Sequence, residues 1–304
     1  MRSASFRPRS AESPVHITTG STSVRAKPTD DQLDIYALTH QGMVRTENQD
    51  HFLVCQLKKQ MEVLHTSLPN VSVIPADQER LAMLMMVADG VGGHFGGEEA
   101  SRVAVKAVAQ YLSESVHVYY TVDTTDDSVF AEKLAAAALR AHERVLERRE
   151  ANPALGRAAT TLTLWIGVWP RVYLVQLGDS RYYVLKGDDL VQISRDQTVA
   201  QDLLDQGVLT PEQASRGRWS HTLSNAIGGV ESHPVVTSIE NDWKYVHLLC
   251  SDGLTKHVSN DQIKERLQAM TSAQQACEAL LQDALDAGGT DNITVVVGRA
   301  SKDV

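Results

Sequence analysis

Four aspartates lie at or beside the ends of predicted strands, among small or polar residues. They are Asp50 in RTENQDHF, Asp89 in VADGVGG, Asp252 in LCSDGL and Asp291 in GGTDNITVVV. An Asp-Gly pair is typical of a hairpin turn, but the two pairs here, at Asp89 and Asp252, lead toward predicted helices. For any one of these aspartates a turn-capping role is an even alternative. The recurrence of the same pattern four times favours one shared site.

Carboxylates that gather in one place repel one another unless a cation neutralises them. A site of oxygen ligands without His or Cys suits a hard ion such as Mg²⁺ or Mn²⁺. Two such ions close together can activate a water molecule for attack on a phosphoryl group. In such a site Asp89 reaches the ion from a rigid strand. Gly90 has no side chain, so its backbone carbonyl can approach the ion as well.

The composition argues against several classes of protein. The 304 residues carry a net charge of -9 at pH 7, whereas nucleic-acid-binding domains are usually basic. The longest uncharged apolar stretch, around Leu81 to Ala88, is too short to span a bilayer, and no apolar signal segment stands near the N-terminus. Cys55, Cys250 and Cys277 are scattered, which argues against a disulfide framework or a zinc site. We therefore predict a soluble, cytoplasmic protein without nucleic-acid or membrane partners.

The order of predicted elements indicates the fold class. Residues 1–33 are rich in Ser, Thr, Pro and Arg and are predicted to form a disordered basic tail, whereas residues 34–304 are predicted to form the folded domain. Strands come first, followed by a helix pair, many strands, a second helix pair and a last strand. This order lacks regular βαβ alternation and favours a layered α+β fold.

Several finer features are also predicted from the pattern. The first helix is expected to begin at Glu98, which places Glu98 and Glu99 in its first turn, where the helix dipole favours acidic residues. The short strands that follow the second helix are expected to form an antiparallel meander. Residues 57–80 are predicted to form an insertion, and residues from about 195 to 225 are predicted to form a polar excursion with two short helices.

The chain resembles the metal-dependent protein phosphatases of the PPM or type 2C family, in the style of their bacterial branch. The matching segments occur in family order and span about residues 34–299; they are GMVRTENQDHF, VADGVGGHFGGEEAS, ATTLTL, VQLGDSRYYVL, LSNAIGG, LLCSDGL and GGTDNITVVV. The resemblance implies a four-layer α-β-β-α sandwich of two antiparallel sheets flanked by helix pairs. It also implies metals in a channel at one end, with the 195–225 excursion as a flap beside it.

The resemblance further implies a set of metal ligands. Asp89 would bridge two Mn²⁺ or Mg²⁺ ions, Gly90 would offer its carbonyl, and Asp252 and Asp291 would complete the main ligands. Many bacterial relatives carry an aspartate before the Thr-Thr strand that supports a third metal, whereas this chain has Gly156. A third, weaker site is therefore left open.

The remaining roles implied by the resemblance concern catalysis. Asp50 would hold metal-bound water, and Arg45 would bind the substrate phosphate, with a surface ion pair to Glu47 as the alternative. Some relatives place a proposed general acid directly after Asp-Gly, where this chain has Val91. His94 is the candidate in the same loop, and a structural role for it is at least as strong an alternative. Direct attack by a metal-bridging water or hydroxide on phosphoserine or phosphothreonine is the implied reaction.

The resemblance implies a monomeric enzyme that acts on phosphorylated proteins and opposes a Ser/Thr kinase. A nucleotide-binding loop is a poor match, because counting G-x-G-x-x-G from Gly90 places Phe95 at the last glycine. The stronger alternative is a pseudophosphatase that binds phosphoproteins without turnover. The presence of Asp89, Asp252 and Asp291 favours an active enzyme. Asp179 in LGDSRYY is assigned to strand-end structure.

Overall fold

The structure is a computed structural model in which six parts of the chain are described. They are residues 26–59, 79–92, 94–115, 127–217, 219–230 and 232–301. Most of the predicted tail and most of the predicted 57–80 insertion lie outside these residues. The described end of the tail contacts the folded domain, since Trp243 Nε1 donates a hydrogen bond to Ala26 O at 2.9 Å and Lys58 Nζ donates to Asp30 Oδ2 at 2.6 Å. The packed part of the chain thus begins before residue 34.

Strands and helices follow one another in the blocks that the sequence indicates. The strands are β1 (Leu33–His40), β2 (Asp50–Lys59), β3 (Glu79–Val91), β4 (Ala159–Thr160), β5 (Leu162–Val168), β6 (Arg171–Leu177), β7 (Arg181–Lys186), β8 (Asp189–Gln192), β9 (Val235–Glu240), β10 (Tyr245–Cys250) and β11 (Ile293–Ala300). The helices are α1 (His94–Glu114), α2 (Ser128–Ala151), α3 (Val199–Asp205), α4 (Pro211–Arg216), α5 (Asp252–Thr255), α6 (Asn260–Gln268) and α7 (Ala273–Asp286). None of the helices in the described ranges combines the length and the apolar character needed to cross a bilayer.

The strands form two antiparallel sheets that face each other. One sheet has the order β1-β11-β10-β7-β8, and the other has the order β2-β3-β5-β6-β9 with β4 paired to β3. Helices α1 and α2 cover the outer face of the second sheet, and α5, α6 and α7 cover the outer face of the first. The predicted four-layer α-β-β-α sandwich is therefore confirmed.

Strand β3 shows why the sheets hold together, because both of its faces are covered. Met85 and Val87 point between the two sheets, whereas Leu84 and Met86 pack under the helix layer. Successive side chains of a strand point to opposite faces, so a strand buried on both sides reads as the continuous apolar run LAMLMMVA. Full burial of each such side chain contributes roughly 1.5–3 kcal/mol.

The strand series after α2 does not form the single meander that the sequence suggests. β5 and β6 pair in one sheet, whereas β7 and β8 pair in the other. The chain crosses between the sheets at Gly178, whose φ of 97° is in the left-handed region. A Cβ atom there would lie 2.5 Å from Thr161 Cγ2, so the crossing requires glycine. The local pattern of short strands is the same for a meander and for this crossing.

Helix α1 begins at His94, four residues before the predicted start at Glu98. Glu98 and Glu99 therefore lie beyond the first turn, and Glu99 instead pairs with Arg148, whose Nε lies 2.6 Å from Glu99 Oε1. Glycines have a low helix propensity, and Gly96 and Gly97 made the earlier start difficult to predict.

The excursion at residues 195–225 contains the two short helices that the sequence predicts, α3 and α4. The side-chain oxygen of Thr210 accepts a hydrogen bond from Gln213 N, and Gln213 Oε1 accepts one from Thr210 N. This is the reciprocal capping box that the Thr-Pro-x-Gln pattern indicates.

A chain of buried hydrogen-bonded rings joins the two sheets. Trp165 Nε1 donates to Tyr182 Oη at 3.1 Å, and Tyr182 Oη lies 2.8 Å from His247 Nδ1. His247 Nε2 lies 3.0 Å from Asn241 Oδ1, which can only accept, so Nε2 carries a hydrogen. Burial, together with the positive charge of Lys186, lowers the pKa of His247 to about 3. The histidine is therefore neutral in the folded protein near neutral pH.

Between about pH 7 and pH 5, we expect the wild type to lose about 2 kcal/mol more unfolding free energy than His247→Gln. The unfolded chain binds a proton at His247 near the ordinary pKa of 6.5, whereas the folded chain does so only near 3. The pKa of His247 is lower in the folded state than in the unfolded state. The stability that depends on a neutral His247 is therefore complete above about pH 6.5 and is lost as the pH falls. Urea unfolding at both pH values measures the difference. Equal losses in both proteins would contradict a neutral buried histidine.

Candidate active site

A cavity of about 600 Å³ opens where the ends of several strands meet. Asp89 and Gly90 line it from the end of β3, Asp252 lines it from the start of α5, and Asp291 lines it from the segment before β11. Arg45, from the loop between β1 and β2, lines the same cavity. The structure thus brings together residues that are far apart along the chain.

Asp50 and Asp89 lie directly opposite each other on neighbouring strands. They are cross-strand partners in the register of β2 and β3, which places their side chains on the same face of the sheet. Asp50 is 3% exposed, and its Oδ2 accepts a hydrogen bond from Thr294 Oγ1 at 2.7 Å. Its other oxygen, Oδ1, is buried and has no hydrogen-bond partner among the described residues. Buried carboxylate oxygens are usually hydrogen-bonded, so Asp50 Oδ1 is a candidate acceptor for a ligand or a water molecule.

The glycines around Asp89 allow three backbone segments to meet at the cavity. A Cβ atom on Gly90 would lie 2.2 Å from Gly97 O, and one on Gly97 would lie 2.8 Å from Gly90 O. Gly90 N also donates to Gln49 O at 3.2 Å. The glycine-dense sequence therefore packs the end of β3 against the first turn of α1 and leaves the backbone at Gly90 open to the cavity.

Asp252 is placed by the abrupt change from β10 to α5. β10 ends at Cys250, and Ser251 N donates to Thr294 O at 3.1 Å before the helix begins at Asp252. A Cβ atom on Gly253 would lie only 1.9 Å from Asn292 O, so the helix packs against the chain that enters β11. This close approach brings Asp252 next to the Asp291–Asn292 segment.

Asn292 holds the loop between β1 and β2 against this segment. Its Nδ2 donates to Gln41 O and Glu47 O, both at 2.8 Å, and its Oδ1 accepts from Gln49 N at 2.9 Å. Asn292 is 6% exposed. Three hydrogen bonds from one buried amide therefore define the path of the loop that carries Arg45.

Arg45 reaches the cavity and pairs with Asp291 through two nitrogens. Its Nε lies 2.7 Å from Asp291 Oδ1, and its Nη2 donates to Asp291 Oδ2 at 2.9 Å. This fork geometry is typical of arginine bound to a carboxylate or a phosphate. Asp291, rather than Glu47, is the observed partner, and the Arg45 side chain remains 55% exposed at the cavity.

Lys256 forms a second cationic contact in the cavity. Its Nζ lies 2.7 Å from Asp252 Oδ2 and 2.6 Å from Asp291 Oδ2. Burial opposes the charged form of Lys256, but the negative charges of Asp252 and Asp291 outweigh this effect and raise its pKa. The ammonium therefore joins two of the four predicted aspartates.

The carboxylates of Asp89 and Asp179 in the cavity, and that of Asp50 next to Asp89, are poorly neutralised. Burial, offset in part by hydrogen bonds, raises the pKa of Asp50 to about 6, and burial with the charge of Asp252 raises the pKa of Asp179 to about 7. Burial and the charge of Asp50 raise the pKa of Asp89 well above its usual value. Burial also disfavours the ionised form of Asp291, yet the hydrogen bonds from Arg45 and Lys256 lower its pKa overall.

These observations fit a divalent cation. The cavity offers carboxylate and carbonyl oxygens, which are the ligands that Mg²⁺ and Mn²⁺ prefer. Asp50 does not line the cavity, but it lies opposite Asp89, which does. Within the described ranges, however, no three His, Cys, Asp or Glu side chains are grouped so as to hold a metal in the observed arrangement. Lys256 and Arg45 contact two of the predicted ligands, Asp252 and Asp291, in this arrangement.

Asp179 and Lys256 are charged cavity residues that the sequence analysis did not place in the site. Asp179, assigned there to strand-end structure, lines the cavity and is 8% exposed. It follows Gly178 at the end of β6, so it carries the same strand-end signal as the four predicted aspartates. Lys256 follows Asp252 by four residues, a spacing that favours ion pairs on a helix, but its contact with Asp291 has no local signal.

The chain departs from the family pattern at two positions, Val91 and Gly156. Val91 is 43% exposed and lines the cavity, whereas the side chain of His94 lies outside what the structure describes. Gly156 ends a short 3₁₀ turn and is not among the residues that line the cavity. The candidate general acid and the third metal site therefore stay predictions.

Comparisons with known proteins point to one family. The sequence model described as protein phosphatase 2C matches residues 74–287. The serine/threonine protein phosphatase PstP of Mycobacterium tuberculosis strain H37Rv is 38% identical over 216 residues, which cover 71% of this chain. Protein phosphatase PhpP of Streptococcus pneumoniae strain R6 is 29% identical over 272 residues, which cover 87% of this chain and 96% of PhpP.

A solved structure of the PstP catalytic domain in complex with two manganese ions has a similar fold. It matches with a TM-score of 0.68 and 32% identity, over 89% of this chain and 99% of that one. The matched part of this chain spans only 40% of the full length of PstP.

Proposed function

The chain belongs to the protein phosphatase 2C family, and from this premise we propose that it is a metal-dependent serine/threonine protein phosphatase. The observation that carries the proposal is the convergence of Asp89, Asp252 and Asp291 on one cavity that also contains Arg45. An acidic cavity with an exposed guanidinium suits a phosphate group held beside divalent cations.

Two Mn²⁺ or Mg²⁺ ions are the proposed cofactors. Asp89, the carbonyl of Gly90, Asp252 and Asp291 would hold them, as the oxygen-rich lining of the cavity favours. When bound, these ions supply Lewis-acid polarisation of the phosphoryl group and acidification of a water molecule. A neutralising ion would also offset the burial and the charge of Asp50, which together raise the pKa of Asp89.

The side chains around the ligands have separate proposed roles. Asp50, the cross-strand partner of Asp89, is proposed to hold the attacking water through its carboxylate. Arg45 binds two oxygens of the phosphate through its planar fork. The bond from the water oxygen to phosphorus forms as the bond from phosphorus to the serine or threonine oxygen breaks, and that oxygen receives a proton. His94 is proposed as the donor of this proton.

We expect Arg45→Ala to raise KM for a phosphothreonine peptide by roughly 10- to 150-fold, because losing a charged hydrogen-bonded contact costs about 1.5–3 kcal/mol. Steady-state kinetics at saturating Mn²⁺ measure the effect. Arg140→Ala is a matched control, since Arg140 lies on α2 and pairs with Glu143 away from the cavity. A KM equal to that of the wild type would contradict the phosphate-binding role.

The proposed substrates are proteins phosphorylated on serine or threonine by a Ser/Thr kinase. The acidic net charge of -9 supports the absence of a nucleic-acid partner. We also propose that the protein acts as a cytoplasmic monomer in signalling. The sparse, unpaired cysteines support a reducing compartment.

Hydrolysis of p-nitrophenyl phosphate and of a phosphothreonine peptide tests the proposal. Wild type and Asp252→Asn are compared with Mn²⁺ and with EDTA. We expect Mn²⁺-dependent phosphate release by the wild type, abolished by EDTA and strongly reduced in the variant. A wild type that binds the phosphopeptide but shows no metal-dependent turnover would favour the pseudophosphatase alternative.

A further inference from the structure

We propose that Lys256 is a built-in counter-cation that competes with one of the two metal ions for Asp252 and Asp291. The inference rests on the proposed function, because it concerns the metal ligands of the same cavity. It adds a positioning residue that acts through these two carboxylates. In the absence of metal, Lys256 holds both carboxylates in place, and it must move away before they bind an ion.

The ammonium of Lys256 lies between the carboxylates of Asp252 and Asp291, where it contacts both. Its Nζ lies within 2.7 Å of one oxygen of Asp252 and within 2.6 Å of one oxygen of Asp291. The side chain is 23% exposed, and the two carboxylates are 18% and 17% exposed. Water therefore screens these contacts less than it screens an ordinary surface ion pair. The ammonium has three donors, of which two are used by these oxygens.

The ammonium and a metal ion cannot share these oxygens. An ion of this class lies about 2.0–2.2 Å from its oxygen ligands, and Nζ lies 2.6–2.7 Å from the same atoms. Both cations would then be only a few ångströms apart, where like charges repel strongly. Binding of the ion and departure of Lys256 from the carboxylates are therefore one coupled event.

The competition acts on one ion and not on the other. Within the described part of the chain, no cationic side chain forms an ion pair with Asp89, and Gly90 offers only backbone atoms. Asp252 and Asp291 both contact Lys256. An ion bound mainly by Asp89 and Gly90 can enter while Lys256 stays in place. An ion that needs Asp252 and Asp291 binds only at the expense of the Lys256 contacts. The wild type is therefore expected to bind Mn²⁺ in a stronger and a weaker step.

Calorimetric titration of Mn²⁺ into metal-free protein tests this inference without any turnover measurement. The wild type is compared with Lys256→Met, which removes the charge and keeps the length of the side chain. We expect the Kd of the weaker step to fall about tenfold in the variant, within the usual range of coupling between two sites. Lys133→Met is the matched control, because Lys133 is exposed on α2, and it should leave both steps unchanged.

The metal-free Lys256→Met protein is also expected to unfold at a lower temperature than the wild type. It loses the cation that joins Asp252 and Asp291, so two neighbouring carboxylates repel each other. Saturating Mn²⁺ should raise its unfolding temperature by more than that of the wild type. A merely structural lysine would weaken metal binding when lost, and would not tighten it.

Lys256→Gln and Lys256→Arg keep the test decisive if the methionine variant does not fold. The neutral glutamine should tighten the weaker step, and the charged arginine should leave it close to that of the wild type. An unchanged or weakened step in the neutral variants, with the wild type binding Mn²⁺, overturns the inference alone. Failure of the wild type and all variants to bind Mn²⁺ overturns the metal site of the proposed function, and the inference with it.

Discussion

Asp89→Asn is expected to lower kcat for phosphoester hydrolysis by about 10³-fold, since loss of a metal's stabilisation of the transition state removes several kcal/mol. Asp89 is the proposed bridging ligand, and an amide lacks the charge that holds two divalent ions together. The comparison is made with p-nitrophenyl phosphate at saturating Mn²⁺. Asp261→Asn is the matched control, because Asp261 is an exposed residue in the first turn of α6.

The same substitution should not destabilise the metal-free protein. Burial and the charge of Asp50 raise the pKa of Asp89, which means that the ionised carboxylate is unfavourable in the folded state. A neutral amide of the same shape removes this repulsion. Thermal unfolding in EDTA should therefore give a melting temperature equal to or above that of the wild type. A variant that keeps most of its activity would contradict the role of Asp89 as a metal ligand. A variant that unfolds far below the wild type would show that Asp89 has a structural role.

Asn292→Ala is expected to lower the unfolding free energy by about 3 kcal/mol, because three hydrogen bonds of a buried amide are each worth roughly 1 kcal/mol. Its amide joins Gln41 O, Glu47 O and Gln49 N. For a domain of this size the melting temperature should fall by roughly 8 °C. The released loop carries Arg45, so KM for a phosphopeptide should rise as well.

Asn152→Ala provides the matched control for this loop. The side chain of Asn152 accepts one hydrogen bond, from Ala154 N at 3.3 Å, and caps a short 3₁₀ turn. We expect that substitution to cost about 1 kcal/mol at most, as is usual for a single cap. Chemical unfolding of both variants gives the comparison. Equal losses of stability would contradict the role of Asn292 in holding the loop.

The positions of the four aspartates could be predicted from the sequence because each carries a local signal. Asp89 follows an apolar run that only a buried strand explains, and Asp252 follows another before a glycine and a helix. Strand ends that share one edge of a sandwich bring such residues together, so the assignment of the strands is enough to predict that they lie close to one another. The layered α+β fold could be predicted for a similar reason, since blocks of strands and helix pairs exclude regular βαβ units.

Other features depend on contacts between distant segments, which no local pattern reports. The start of α1 at His94 depends on Gly97, which packs against Gly90. The crossing at Gly178 moves β7 into the other sheet and carries Asp179 into the cavity. Lys256 contacts Asp291, which lies 35 residues away. In each case tertiary packing decides the outcome, and local propensity does not.

The central claim is that Asp89, Asp252 and Asp291 together hold a pair of divalent cations in the cavity. Anomalous diffraction from crystals grown with Mn²⁺ tests it most directly, because it locates the ions without relying on activity. The account predicts two adjacent manganese peaks in the cavity, with Asp89 between them and Asp252 and Asp291 bound to one ion. Manganese bound elsewhere, or a cavity in which Lys256 still joins Asp252 and Asp291 at saturating Mn²⁺, would contradict it.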